Sequence, residues 1–316
     1  MNKKVVVFGG GTGISFLLRG LKNFPVDITA IITVSDDGSS TGKLREEFLM
    51  PAMGDIRNAI VSLSDANDKI KDLLQYRFDT YTDLNGHPIG NLIMVAMYNM
   101  TGSLKESIKA LSGFLNVRHK ILPISEDYLT LVAETESGEV IHGESEISHS
   151  GKRIKKLYYD EDPLIDKEVI EEILSADLII FSIGSLFTSI IPNLLSSEVI
   201  AAIDKSNAKL LYTCNAVCQM GETEDFTAAD HVATINNYLG KRKLDAVIVA
   251  DSNLPKDVLD KYISSENKKL VKCDTARLKE LGCKVIKDDL LVIENNYIRH
   301  DNLKFATCIF NYLMRW

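Results

Sequence analysis

Continuous apolar runs at residues 5–8, 28–34, 178–183, 210–215 and 246–250 read as strands buried on both faces, the signature of a parallel sheet. The first run is followed by Gly9-Gly10-Gly11-Thr12-Gly13 and then by apolar positions at helical spacing over 14–21, which predicts an opening βαβ unit. Residues 40–115 change character. Helical spacing recurs over 56–64, 70–78, 89–100 and 104–115 with no strong strand between them, so this stretch predicts a helical insertion. Residues 129–133 and 140–143, joined through Ser137-Gly138, predict a hairpin. The polar stretch 143–162 reads as a loop or an edge segment, and 301–316 as a closing helix.

The expected architecture is α/β: a Rossmann-like three-layer fold with a mainly parallel sheet, a helical insertion and a small hairpin. The chain has 316 residues, enough for one large or two ordinary domains at roughly 150 residues each. No linker rich in Pro, Gly or Ser divides it, which favours one domain over 1–316, with the insertion at about 40–115 and the hairpin at about 129–143.

Charge narrows the partners. Lysine plus arginine total 36 against 44 aspartates and glutamates, a net charge of −8, so the broad basic face of a nucleic-acid binder is not expected. The five cysteines contain no CxxC pair and no zinc spacing, and read as reduced thiols of a cytoplasmic protein. No apolar run approaches the roughly 20 residues of a membrane span, and the start is too short and glycine-rich for a signal peptide.

Polar loops follow several of the predicted strands, at the edge where α/β sheets bind ligands. Gly10, Gly11, Thr12 and Gly13 form neither a G-x-G-x-x-G nor a Walker loop, yet they place a helix N-terminus where a phosphate or diphosphate would sit. Asp36, Asp37, Ser39 and Ser40 follow the second strand. The two carboxylates there suit a ribose hydroxyl, Mg²⁺ on a diphosphate, or a helix cap. Asp55 is a candidate N-cap, Arg57 a partner for phosphate or a carboxylate, and Asn58 follows. His87 and Asn91 stand one turn apart and suit a common ligand or a capped core helix. Gly184, Ser185, Leu186 and Thr188 make a second strand–turn–helix start, without the G-x-S-x-G of a serine hydrolase. Asn215, Glu222, Thr223, His231 and His300 complete the polar set, and for the two histidines a structural place in the core is the competing reading.

In this order the motifs resemble the CofD-like superfamily, and more closely its YvcK branch, over nearly the whole chain. Asp36-Asp37-Gly38-Ser39-Ser40-Thr41-Gly42-Lys43-Leu44-Arg45, Gly54-Asp55-Ile56-Arg57-Asn58, Gly90-Asn91-Leu92, Gly184-Ser185-Leu186-Phe187-Thr188-Ser189, Gly221-Glu222-Thr223, Asp230-His231 and His300-Asp301 carry the resemblance. The Pro-Asp-Leu-Asp-Thr element of the phospholactate transferases is missing. Four places depart from the branch pattern. Ser182-Ile183 replaces Gly-Pro, Met220 replaces Pro, Ala52-Met53 replaces Pro-Pro, and Ser39 replaces Gly.

The resemblance implies a cytoplasmic bacterial regulator that binds a nucleotide sugar of the UDP-N-acetylglucosamine type and acts in cell shape during gluconeogenic growth. It would report through a protein partner or an oligomer. The diphosphate would lie at Gly10–Gly13 and Gly184-Ser185, with Arg57 supplying positive charge and Asp36 and Asp37 contacting ribose, sugar or metal. The alternative is a Mg²⁺-dependent transferase with a nucleotide diphosphate-linked donor. Asp37 or Asp55 would then hold the metal, and His87 or His231 would act as base. An NAD-dependent oxidoreductase is a third reading, weakened by the defective dinucleotide fingerprint.

Overall fold

The computed structural model describes residues 2–219, 221–251, 255, 269–294 and 297–315. Met220, one of the departures from the branch pattern, and Trp316, at the end of the expected closing helix, lie outside the described residues.

Seven parallel strands form the central sheet. In chain order they are β1 (Lys3–Gly9), β2 (Val26–Ile32), β3 (Lys120–Pro123), β7 (Leu178–Phe181), β8 (Lys209–Thr213), β9 (Ala246–Ala250) and β10 (Lys284–Asp288). Their spatial order is β10-β9-β8-β7-β1-β2-β3. Val5 of β1 pairs with Ile28 on one side and with Leu178 on the other. Val5 to Phe8 are at most 1% exposed, which explains why this strand is apolar at every position rather than at alternate ones.

Right-handed crossovers that step one way from β1 to β2 and the other way from β7 to β8 put their helices on opposite faces. These helices are α1 (Gly11–Leu21) and α9 (Ser197–Lys205). α1 packs on α3 (Gly54–Leu63) and on the closing α12 (Asn302–Leu313). A Cβ on Gly20 would overlap the Asn302 carbonyl, so glycine sets the close approach of α1 and α12. α9 packs on α8 (Lys167–Ser175).

The insertion between β2 and β3 is helical as expected. It comprises α2 (Ser39–Phe48), α3, α4 (Asp68–Gln75), α5 (Ile89–Thr101) and α6 (Leu104–Phe114). The predicted hairpin is β4 (Leu131–Thr135) with β5 (Val140–His142), and Gly138 at φ +85° makes its turn. β6 (Ile154–Tyr159) adds to β4 on the other side, so the small sheet has three antiparallel strands. The stretch read as a loop or edge segment holds α7 (Glu144–His149) and this edge strand. Two further strands that the apolar pattern did not mark, β11 (Leu291–Glu294) and β12 (Tyr297–His300), form an antiparallel pair before α12. One contiguous apolar core contains residues from the insertion, the central sheet, the β4–β6 sheet and α12, and Leu291 and Ile298 of the β11–β12 pair form a smaller cluster with Ala216.

Candidate functional site

The strand order reverses direction at β1 and β7, and the loops leaving their carboxyl ends meet there. Cβ atoms on Gly9 and Gly13 would overlap the Ser182 hydroxyl and the Ile183 carbonyl respectively. The two glycines are thus what lets the β1 and β7 loops touch. Ser182 is fully buried and fills the space that Gly9 leaves. Gly11 takes φ +65°, which turns the chain from the extended Gly10 into α1.

A cleft of about 800 Å³ opens at this crossing. Its walls include Gly11, Thr12 and Gly13 from the start of α1, Gly184, Ser185 and Thr188 from the loop after β7, and Asn215, Glu222 and His300. Nine of the residues singled out in the sequence are therefore brought together. Asn215 clamps the β7 loop, accepting from the Gly184 amide at 3.0 Å and donating to its carbonyl at 2.7 Å. The segment after it is a π turn over Leu186–Ile190 followed by a 3-10 turn over Ile191–Leu194. Pro192, which has no amide to donate, falls in the second. Ser185 accepts from the Thr188 amide and hydroxyl, at 3.1 and 2.8 Å, and its own hydroxyl donates to Glu222. Leu186 is buried in the core, and Thr223 is buried where it holds the turn from Gln219, accepting from the Gln219 amide at 3.0 Å.

Three carboxyls around the cleft are held above the ordinary range. Burial, with the Asp36 carboxylate adding to it, pushes Asp55 up to about 7. Burial and the neighbouring Asp36, Asp37 and Glu222 push Glu144 up to about 7. Burial also raises Glu222. His300 moves the other way, to about 4, because its ring is screened from water. Its Nε2 accepts from the Ala216 amide at 3.2 Å, which fixes the neutral ring with its proton on Nδ1.

The remaining predicted residues lie elsewhere. Asp37 does not face the cleft: its two oxygens accept from the Glu144 and Ser145 amides at 3.1 and 2.8 Å, capping α7. Asp36 accepts from the Gly38 amide at 3.0 Å, and burial raises its pKa. Asp55 is not an N-cap of its own helix, where Met53 holds that position. Its carboxyl instead accepts from the Gly11 amide at 2.5 Å, taking one donor of the α1 N-terminus that a phosphate was expected to use. Arg57 lies outside the cleft wall and makes no ion pair among the described residues, although the Asp55 carboxylate acts on it at longer range. It is 5% exposed, reaches only the Leu74 carbonyl at 3.5 Å, and burial together with Arg77 lowers its pKa to about 10. Asn58 is half-buried on α3, outside the cleft wall.

Ser40, His87 and Asn91 do converge, but on one another. Ser40 shares a 2.8 Å hydrogen bond with His87 Nδ1 and accepts from Asn91 at 3.3 Å, all three buried. His231 is a core residue. It is fully buried against Tyr212, whose hydroxyl is 2.9 Å from Nδ1, and its pKa falls to about 4 through burial. That position removes it as a base for any ligand in the cleft. Ser39 is exposed at φ +45°.

The cleft also contains residues the motifs did not mark: Phe16, Arg19, Glu144, Ser148, Gln219 and Arg299. Arg19 was legible in principle, two turns into the helix that follows the glycine loop. Glu144 and Ser148 were not, because they arrive from the small sheet through α7. Among the described residues no group of three or more His, Cys, Asp or Glu is gathered as a metal site, and no helix is long and apolar enough to cross a membrane alone.

A family model described as 2-phospho-L-lactate transferase CofD matches residues 5–291. The gluconeogenesis factor of Bacillus subtilis (strain 168) is 45% identical over 313 residues, 98% of each chain. The gluconeogenesis factor of Listeria monocytogenes is 39% identical over 307 residues, 97% of this chain and 94% of that one. A crystal structure of a Bacillus halodurans protein described as a member of the UPF0052 family superposes with a TM-score of 0.93 at 41% identity, covering 98% of this chain and 99% of that one.

Proposed function

This chain belongs to the CofD family, and on that premise we propose that it is a regulator whose cleft binds a nucleotide diphosphate sugar of the UDP-N-acetylglucosamine type. The observation that carries the reading is the cleft itself. It lies at the strand switch point, has a volume suited to a ligand of this size, and is walled by the α1 N-terminus and the Gly184–Thr188 turn. Thr12 and Gly13 offer backbone donors for a diphosphate, and Arg19 and Arg299 add positive charge in an otherwise acidic protein. The name gluconeogenesis factor, carried by relatives over nearly their whole length, supports a regulatory role in central carbon use. We extend this to a cytoplasmic protein that serves cell-shape and cell-wall homeostasis during gluconeogenic growth and reports ligand level through a protein partner or a second copy. Calorimetric titration with UDP-N-acetylglucosamine, with and without Mg²⁺, tests the ligand. Saturable binding is expected, and no heat at millimolar concentration would remove it.

One observation favours a second reading, a Mg²⁺-dependent transferase. Burial and the Asp36 carboxylate raise the pKa of Asp55 beside Gly11, Asp36 is itself raised by burial, and a divalent cation is the partner that two such carboxyls suit. Asp36 and Asp55, rather than Asp37, would hold it, with the ligand's phosphates completing the coordination. When bound, Mg²⁺ would neutralise a leaving diphosphate. Asp36 orders the turn into α2 through the Gly38 amide, and Asp55 orients the α1 N-terminus. Mass spectrometry of donors incubated with the protein separates the readings: product formation favours the transferase, and tight binding without turnover favours the regulator.

A further inference from the structure

Two sets of contacts divide the cleft. One surrounds the Gly184–Thr188 turn, where the Ser185 hydroxyl donates to Glu222 and Glu144 lies beside Thr188. The other runs along the flank of α1. Thr12, Phe16 and Arg19 recur there at i, i+4 and i+7, one stripe of the helix, while Ile14, Leu17, Leu18 and Leu21 are turned into the core. Phe16 is half-buried, and its ring lies 6.0 Å from that of His300. His300 is fixed in turn by Phe305, whose ring stands 5.1 Å away and nearly perpendicular, and by the Ala216 amide. Ala216 and Ile298 share a small apolar cluster, with Val217 packed against it. Phe16, His300, Ala216, Val217 and Ile298 therefore form a connected wall of rings and apolar side chains, and all five line the cleft. The carboxyls of the cleft, Glu144 and Glu222, stand together with Ser148 in the other set. Arg19 is exposed, and its guanidinium has neither an ion pair nor a hydrogen bond among the described residues. Side chains on a helix lean toward its N-terminus, so Arg19, one turn beyond Phe16, leans back toward that ring.

A wall of this composition suits a flat aromatic group. Sugar hydroxyls need acceptors, and none of these side chains has a carboxylate, amide or hydroxyl oxygen to offer. An aromatic base covers the apolar area, stacks on a phenyl ring and takes a guanidinium against its own π-face. Phe16 stands five residues beyond Gly11, about 7.5 Å along the helix axis, a gap that one ribose spans. We propose that the flank of α1 is the nucleobase subsite of the cleft, with Phe16 as its stacking platform and Arg19 as the cation that packs on the base. This rests on the nucleotide-sugar reading and deepens it. It assigns the base, and not the sugar, to the Phe16 wall, and the selected class is a diphosphate that carries an aromatic base, over sugar phosphates that lack one.

The test compares two probes, UDP-N-acetylglucosamine and its 5,6-dihydrouridine counterpart. The saturated base of the second keeps both carbonyls and the ring N–H but is neither flat nor aromatic. Affinities are measured in the wild type, Phe16→Leu and Arg19→Ala, with thermal unfolding to verify each fold. The wild type is expected to bind the aromatic probe about tenfold more tightly, the worth of one stacked base. Phe16→Leu keeps an apolar side chain and removes the π-face, so it should cut that ratio to about twofold by weakening the aromatic probe alone. Arg19→Ala, at an exposed position, should lower the ratio about threefold, the loss of a cation from the base face. A wild-type ratio near one, or a ratio unchanged in either variant, would put the sugar or the phosphates against these residues and overturn the proposal while leaving nucleotide-sugar binding intact. Failure of the wild type to bind either probe would overturn both. If Phe16→Leu does not fold, Arg19→Ala decides alone through the ratio.

Discussion

At the scale of single residues, four side chains among the described residues, Ser39, Leu49, Asn116 and Asp225, sit in backbone conformations that glycine adopts at lower cost. Ser39 lies at φ +45° at the start of α2, and Leu49 lies at φ +48° just beyond its end, 76% exposed. The left-handed region costs a non-glycine residue about 1–2 kcal/mol, partly offset by the entropy glycine loses on folding. Ser39→Gly and Leu49→Gly are each expected to raise stability by about 0.5–1 kcal/mol in urea denaturation. A loss of stability in both would contradict this account. The same scale shows what motif reading could not resolve. Arg57 looks like a phosphate ligand in the sequence, yet its helix turns it toward the Leu74 carbonyl, a contact set by how α3 and α4 both pack on α5 beside Gly90. Asp37 looks like a metal or ribose ligand, and its partners are backbone amides more than a hundred residues later, which no local spacing encodes.

At the scale of elements, legibility followed burial. β1, β2, β7, β8 and β9 lie inside the parallel sheet, and their two buried faces produce unbroken apolar runs. β3 and β10 are the sheet's two edges and carry lysines at their starts, while β6 is an edge strand with Lys155 and Lys156 within it. Charge on an edge guards against further pairing and also erases the apolar signal. The contact between α1 and the β7 loop makes a sharp prediction. A Cβ on Gly13 would overlap the Ile183 backbone carbonyl, and neither backbone can yield without moving a strand. Gly13→Ala is expected to cost more than about 2 kcal/mol of stability and to abolish nucleotide binding, read by denaturation and calorimetry together. Wild-type stability in that variant would mean that the two loops are not in contact.

At the scale of the whole molecule, opposing titrations share the fold. His231 and His300 are lowered to about 4, so the unfolded chain binds more protons at these sites between about pH 4 and 6.5, and their contribution to stability is lost as pH falls through that window. Asp55 and Glu144 are raised to about 7, so their contribution is full below about pH 4 and is lost as pH rises through 7. Over the shared window the two pairs act against each other. Asp55→Asn removes one side of that balance. Its stability relative to wild type is expected to shift in the variant's favour from pH 5 to pH 8, measured by denaturation at the two values. An unchanged difference would mean that Asp55 titrates normally.

The strand order has a consequence for synthesis. β1 is made well before one of its two neighbours, since β7 is translated only after the whole insertion, β3 and the small sheet. Until residue 181 has left the ribosome, the apolar edge of β1 has no strand to pair with, and a nascent chain stopped short of that point presents a template for aggregation. The cleft comes later still, since Asn215, Glu222, Arg299 and His300 are translated after β7. The cleft is therefore complete only once the chain has been made as far as His300, and on the ligand-binding reading a ligand would meet the protein as that late wall closes.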